Sequence, residues 1–295
     1  MPVVSAARYG KDNVRLYKVH RDESTGIHTV TEMTVCCLLE GEIERSYTVA
    51  DNSVVVATDS IKNIIYIKAK EHPVNPTELY ASYLGQDILD KYAHISAVNV
   101  SIAVKRWTRM VIDGKEHPHS FYRDGEETRN VEARITRQGI ELTSGIAGLL
   151  VLKSTGSAFY GFVRDEYTTL AETWDRILST EINATWRWNT LPDVASVEQK
   201  AAQFDKAWED ARNITMKTFA EESSPSVQHT MYIMSEKVLD AAPEVASVTY
   251  SLPNKHYFEI DLSWHKGIKN TGKDAEVYAP QTNPSGLIKV EVSRS

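Results

Sequence analysis

His117-Pro118-His119 is the one closely spaced histidine pair in the chain. Two imidazoles this near could ligate copper or zinc, but one proline apart they make an incomplete site with no obvious third ligand. Asp113-Gly114-Lys115-Glu116, just before them, reads as a turn, so a surface hairpin is the plainer expectation. His256 follows Pro253-Asn254-Lys255 and shares parity with Phe258, Ile260, Leu262 and Trp264. A histidine opening a strand beside a polar Asn254 suits a general acid or base; a hydrogen-bonded core histidine fits the same pattern. Thr58-Asp59-Ser60 precedes the stripe Ile61, Ile64, Ile65, Lys68. This reads as a helix cap, and the free N–H groups of such a helix start could also hold an anionic ligand. Lys11 lies in Tyr9-Gly10-Lys11-Asp12-Asn13, where it is either a solvated lysine or, if buried, a tunable base. Arg176, Gln228 and Phe159 are each ordinary taken alone: a solvated helix residue, a polar residue at a helix start and a core aromatic.

The elements that must position these groups alternate between two periods. Met33, Val35, Cys37 and Leu39 share one face of a strand, as do Val98, Val100, Ile102 and Val104, and again Ala246, Val248, Tyr250 and Leu252, followed by Phe258, Ile260, Leu262 and Trp264. Period-two alternation predicts antiparallel sheet buried on one face. Helices are expected at Thr58–Glu71, 76–92, 197–219 and 225–239, with an extra helical stretch at 169–179. Asn75-Pro76-Thr77-Glu78 reads as an Asn cap with proline at the first helical position and a capping-box glutamate, and Ser224-Pro225 repeats the arrangement. Tyr80, Leu84, Ile88 and Tyr92 form one apolar stripe, and Val227, Met231, Met234 and Val238 the other. The matched order, with Val98–Ile102 resembling Val248–Leu252, suggests two tandem copies of one module, 1–140 and 141–295, with the seam in the turn-rich segment 137–148. Helices between hairpins, rather than after every strand, make the class α+β.

Composition narrows the function further. With 33 basic against 40 acidic residues the formal charge is −7, which argues against a general nucleic-acid binder. A hydrophobic fraction of 42% and a charged fraction of 25% are those of a folded globular chain. No apolar run approaches the roughly 18 residues of a membrane span, and the Met1-Pro2-Val3-Val4 start lacks a signal-peptide pattern. Cys36 and Cys37 are adjacent and project to opposite faces of a strand, so no disulfide joins them and a reducing compartment is expected. Walker A, Gly-x-Gly-x-x-Gly, His-Glu-x-x-His, Gly-x-Ser-x-Gly and Cys-x-x-Cys motifs are all missing, so no common nucleotide cofactor or Cys-rich zinc site is expected.

At the chemistry-bearing residues the sequence resembles the urate oxidase (uricase) family, especially its fungal members. The resemblance spans essentially the whole chain. It is carried by Arg8-Tyr9-Gly10-Lys11-Asp12-Asn13, Ala57-Thr58-Asp59-Ser60-Ile61-Lys62-Asn63, His117-Pro118-His119-Ser120-Phe121, Tyr167-Thr168-Thr169-Leu170, Thr173-Trp174-Asp175-Arg176-Ile177-Leu178, and the long run 251–265 that begins Ser251-Leu252-Pro253-Asn254-Lys255-His256. It implies two tandem tunnelling-fold (T-fold) modules, antiparallel sheets with helices on one face, and a barrel-like homotetramer with active sites at chain interfaces. The implied reaction converts urate, molecular oxygen and water to 5-hydroxyisourate and hydrogen peroxide, with no metal and no organic cofactor. The resemblance places Arg176 and Gln228 as the two arms of a substrate clamp, Phe159 stacked on the purine, and the backbone N–H groups of Val227 and Asp59 against the ring. Thr58 and Asn254 frame the oxygen or water pocket, and Lys11, Thr58 and His256 form a proton relay. Lys11, Thr58 and Asp59 would come from one chain and the rest from its neighbour. Nucleic acid and membrane are not expected partners. Two alternatives stand beside this: a metal-dependent tunnelling-fold hydrolase or lyase acting on pterins or purines, which the lack of a convincing metal set disfavours, and a silent purine-binding scaffold, which Lys11, Thr58, Asn254 and His256 disfavour. Residence in the peroxisome is implied by the family. The chain closes on Ser293-Arg294-Ser295, however, where relatives usually carry a Ser-Lys-Leu type address, so a cytoplasmic location is the other expectation.

Overall fold

In the computed structural model, which describes residues 2–281 and 286–294, eight strands form one antiparallel sheet. The chain opens with β1 (Tyr9–Arg21) and β2 (His28–Gly41), followed by α1 (Glu44–Thr48), α2 (Thr58–Glu71) and α3 (Thr77–Lys91). Then come β3 (Ile95–Lys105), the hairpin β4 (Thr108–Ile112) and β5 (Lys115–Tyr122), and β6 (Thr128–Thr136). The second half runs β7 (Gly139–Lys153), β8 (Leu178–Trp188), α4 (Val194–Gln199), α5 (Ala201–Glu221), α6 (Val227–Ala241), β9 (Val245–Lys255), the hairpin β10 (Tyr257–Glu259) and β11 (Tyr278–Pro280), and β12 (Leu287–Ser293). The sheet order is β1-β2-β3-β6-β7-β8-β9-β12, so the four strands of the first half are followed without interleaving by the four of the second.

The alternating residues drive this arrangement. Met33, Val35, Cys37 and Leu39 are fully buried, as are Val98, Val100, Val248 and Tyr250. Against that face pack the apolar stripes Ile61–Ile65–Ala69 of α2, Tyr80–Leu84–Ile88 of α3 and Val227–Met231–Met234–Val238 of α6, in one continuous core. The other sheet face carries a polar groove lined by Asn99, Ser101, Glu132, Arg134, Thr143 and Arg187. Among the described residues no helix is long and apolar enough to cross a membrane. Met1 and Ser295, which belong to the ends read above for targeting, lie outside the described residues.

Several expectations are corrected. The stretch 169–179 is not helical: it is irregular, with Phe159 and Thr173 bridged, and runs into β8. Most of 137–148 is strand rather than turn, because Thr136 and Gly139 already pair around a two-residue connection. The expected 197–219 helix starts earlier and is broken at Lys200 into α4 and α5. Asn75 does not cap α3; its amide donates to Thr31 Oγ1 at 2.8 Å. Glu78 closes no capping box. It is fully buried and accepts from Arg129 at 2.7 Å and from the Ser144 hydroxyl at 2.6 Å, an ionic and hydrogen-bonded pull stronger than a cap. Ser226, not Ser224, caps α6 by accepting from the His229 N–H at 3.2 Å. The apolar alternation after His256 does not continue a buried strand: pairing stops at Glu259, and Phe258 and Trp264 are 54% and 78% exposed in the single chain.

Candidate functional site

The expected site residues fall into two groups at different places on the sheet. The first group surrounds the start of α2. Lys11 sits on β1 at a bulge between Lys11 and Val14, where Asn13 takes a positive φ of 55° and Gly10 lies so close to β2 that a Cβ would overlap the Cys37 carbonyl oxygen. Tyr9 ties this strand to the segment entering α2, its hydroxyl accepting the Val56 N–H at 2.6 Å. Thr58 is the first helical residue and is exposed. The N-cap position belongs to Ala57, which offers no side-chain acceptor, so the cap expected at Thr58-Asp59-Ser60 is absent. Among the described residues no side chain caps the N–H groups of that first turn, which suits them to a ligand. The Asp59 carboxylate is solvent-exposed and salt-bridged to Lys62 at 2.6 Å. That bond, with Lys11 also near, holds it below the usual carboxylate range.

The second group is built on the β7–β8 excursion, α6 and the end of β9. Between Lys153 and Leu178 the chain leaves the sheet for a long excursion that carries Phe159 and Arg176. Phe159 pairs with Thr173 through two backbone hydrogen bonds of 2.8 and 3.0 Å, and its ring stacks on Phe162 at 4.9 Å. Arg176 donates its backbone N–H to the Ser157 carbonyl at 2.9 Å, and its guanidinium carbon lies 5.4 Å from the Phe159 ring centroid. Burial pushes the Arg176 guanidinium below its ordinary pKa, and its Nε is buried with no acceptor among the described residues. A half-buried cation without a counter-ion costs free energy unless something else supplies the acceptor. The excursion is fastened to the entry of α6, where the Ser224 N–H donates to the Gly156 carbonyl at 3.0 Å and the Ala158 N–H donates to the Ser224 carbonyl at 2.8 Å. Val227 is buried and Gln228 exposed in the first turn of α6, whose Ser226 cap serves His229 only.

Asn254 is the penultimate residue of β9. It faces Thr180 across the ladder, and its N–H donates to the Gly286 carbonyl at 2.8 Å. His256 lies at the break between β9 and β10. Its ring stacks on Phe258 at 5.8 Å, and Gly286 approaches so closely that a Cβ there would lie 3.9 Å from His256 Nε2. Gly286 and Phe162 were not legible as neighbours of the site, since each reaches it through tertiary contact.

No hydrogen bond, ion pair or stacking contact joins the two groups among the described residues. β1 and β9 are six strand intervals apart, about 29 Å along the sheet at about 4.8 Å per interval. Each group can do part of a reaction. The second offers an unneutralised guanidinium beside an aromatic ring, suited to a flat, hydrogen-bonding, electron-rich ring. The first offers an ammonium, a hydroxyl and a helix start, suited to moving protons and holding negative charge. His117 and His119 lie on β5 with ring centroids 4.6 Å apart, and His28 comes within 5.7 Å of His119. Even so, no three His, Cys, Asp or Glu side chains among the described residues are arranged to hold a metal ion.

The sequence matches the family model described as uricase over residues 7–134 and 142–289. The chain is a member of the uricase family. It is 64% identical to a uricase of Emericella nidulans, over all of this chain and 98% of that protein, and 62% identical to a uricase of Aspergillus flavus with the same coverage. Among solved structures, the uricase from Arthrobacter globiformis superposes with a TM-score of 0.88 at 36% identity, over 100% of this chain and 96% of that one. The urate oxidase from Bacillus sp. TB-90 superposes with a TM-score of 0.83 at 26% identity, over 98% of this chain and 100% of that one. The antiparallel α+β architecture is thus that of solved uricases. Family membership also decides against the metal-dependent hydrolase or lyase reading.

Proposed function

We propose that this uricase-family chain oxidises urate with molecular oxygen and water to 5-hydroxyisourate and hydrogen peroxide, at a site assembled from two chains. The observation that carries the site is Arg176: a half-buried guanidinium, stacked near Phe159, whose Nε has no acceptor among the described residues. A planar purine anion supplies the missing acceptor and a face for Phe159. In this reading Arg176 and Gln228 grip opposite edges of the ring. The Val227 and Asp59 N–H groups contact it, and Thr58 and Asn254 bound the space above it where oxygen or water sits.

Deprotonated urate is electron-rich and can itself reduce oxygen, so the protein's work is to remove protons, hold the anion and place oxygen over the ring. Lys11, Thr58 and His256 form the relay, the threonine hydroxyl serving as both donor and acceptor. No metal or organic cofactor enters this scheme. The separation of the two groups along one sheet supports a site between chains, with Lys11, Thr58 and Asp59 from one and Arg176, Phe159, Val227, Gln228, Asn254 and His256 from the other. The same reading takes 1–140 and 141–295 as two tunnelling-fold modules and four chains as a barrel-like homotetramer. It leaves the peroxisome as the family's location, to be checked by imaging the tagged full chain.

Complementation tests the proposal. Lys11→Met and Arg176→Ala subunits, each inactive alone, are co-expressed, and loss of urate ultraviolet absorbance is followed. Mixed oligomers should regain activity, because some interfaces then contain neither defect. Mixed oligomers that stay inactive would place the whole site within one chain. A wild-type chain that leaves urate unconsumed would remove the function itself.

A further inference from the structure

Asp175 is adjacent to Arg176 in sequence, yet no ion pair joins them. Its carboxylate is occupied by the other side of the excursion: Oδ2 accepts from the Thr155 hydroxyl at 2.7 Å and Oδ1 from the Gly156 N–H at 2.8 Å. The Thr155 hydroxyl above all, with the backbone N–H groups of Gly156, Ser157 and Arg176, keeps this carboxyl below its ordinary pKa. The consequences are positional. Segment 156–158 is zipped to Ser224, two residues before the α6 cap, and Ser157 in turn holds the Arg176 N–H. The Asp175 carboxylate therefore cross-links the segment that carries Arg176 to the segment that is fixed to α6.

We propose that Asp175 is a positioning residue that sets the separation between Arg176 and the start of α6, and leaves the guanidinium free because its own charge is taken up by the Thr155 hydroxyl and the Gly156 N–H. The inference rests on reading Arg176 and Gln228 as the two arms of the substrate clamp. It needs a carboxylate specifically. An amide at this position would keep one acceptor for Gly156 but turn an N–H donor toward the Thr155 hydroxyl or lose that contact. The side chain is exposed, so its removal should disturb the clamp more than the fold.

The test uses the full-length oligomer and four variants: Asp175→Ala, Asp175→Asn, Arg176→Lys and the double Asp175→Ala/Arg176→Lys. KM and kcat for urate and the Kd of an unreactive purine analogue are measured. Asp175→Ala should raise KM and Kd by about tenfold to about a hundredfold, the range that losing one hydrogen bond to a charged group produces, with a much smaller change in kcat. Asp175→Asn should recover part of the loss. In the Arg176→Lys background Asp175→Ala should add little, because a residue that acts through Arg176 has nothing left to position. Should Asp175→Ala fail to fold, Asp175→Asn carries the same comparison. Unchanged KM and Kd in the Asp175 variants, or losses that multiply fully in the double variant, would overturn the proposal while leaving the clamp intact. Normal KM and Kd in Arg176→Lys would instead bring down the clamp reading, and the positioning role with it.

Discussion

The two halves of the chain treat places 150 residues apart in opposite ways. α3 spans Thr77–Lys91 and α6 spans Val227–Ala241, and β3 and β9 start at residues 95 and 245, so both elements recur 150 residues later. In the first half this geometry is sealed. Glu78, in the first turn of α3, is buried on Arg129 and Ser144, and Ser144 also accepts the Trp188 indole N–H at 2.8 Å. Arg106, just past β3, is held by buried Glu127, which also binds Arg212 at 2.9 Å. In the second half the matching positions stay open. Gln228, opposite number of Glu78, is exposed, and His256, opposite number of Arg106, makes no ion pair among the described residues. The β1–β2 connection is a short turn closed by Asp22, whereas the β7–β8 connection grows into the excursion that carries Phe159 and Arg176. Elements that recur 150 residues apart thus carry buried, paired polar groups in one half and exposed ones in the other.

Five substitutions would sharpen or break this contrast. The largest effect is expected outside both sealed positions, in the relay: Thr58→Val should cut kcat by about 10²–10⁴-fold while barely moving the affinity of an unreactive purine. Lys11→Met should match it, and the double variant should be scarcely worse than either; fully multiplied losses would end the relay. Next, Glu78→Gln should destabilise folding by about 3 kcal/mol, since it leaves Arg129 buried with less compensation, yet leave KM unchanged in the folded fraction. Denaturant unfolding reads the first quantity, and a raised KM would mean that the sealed half also serves the site. Ser226→Ala removes the α6 cap and should cost about 1 kcal/mol, with a modest rise in KM because Val227 and Gln228 lie in that first turn. The smallest effect belongs to Asp22, whose carboxyl is held at about 2 by Ser24 and Thr25. A folded pKa below the unfolded value means that its contribution is complete above about pH 4 and fades as the pH drops toward about 2. Side-chain NMR titration should find that midpoint, and Asp22→Ala should leave urate turnover untouched.

The alternation of Met33–Leu39 and of Val248–Leu252 was enough to read a one-faced antiparallel sheet, and the 3.6-residue stripes of α2, α3 and α6 located the helices that cover it. What escaped was decided by tertiary competition. Glu78 has the spacing of a capping box, but the partly buried Arg129, 51 residues away, draws it off. Phe258 and Trp264 alternate like a buried strand, yet they lie where the chain has left the sheet. Phe159 and Arg176 look unremarkable in sequence because neither sits on a periodic element. Only the closed backbone pairing of Phe159 with Thr173 and of Arg176 with Ser157 shows that the excursion is a shaped support. Lys11 and Thr58 enter the proposed site through family resemblance rather than through their spacing.

Gly10 has no side chain to offer, yet it is among the positions least open to change. Any side chain there would strike the Cys37 carbonyl, with nothing but backbone to move aside. Relieving that collision means parting β1 from β2 immediately before the bulge that presents Lys11. In a library covering every substitution, residue 10 should therefore be as intolerant as residue 11, for want of room rather than want of chemistry. Invariance along this strand is thus a poor guide to which residues touch the substrate.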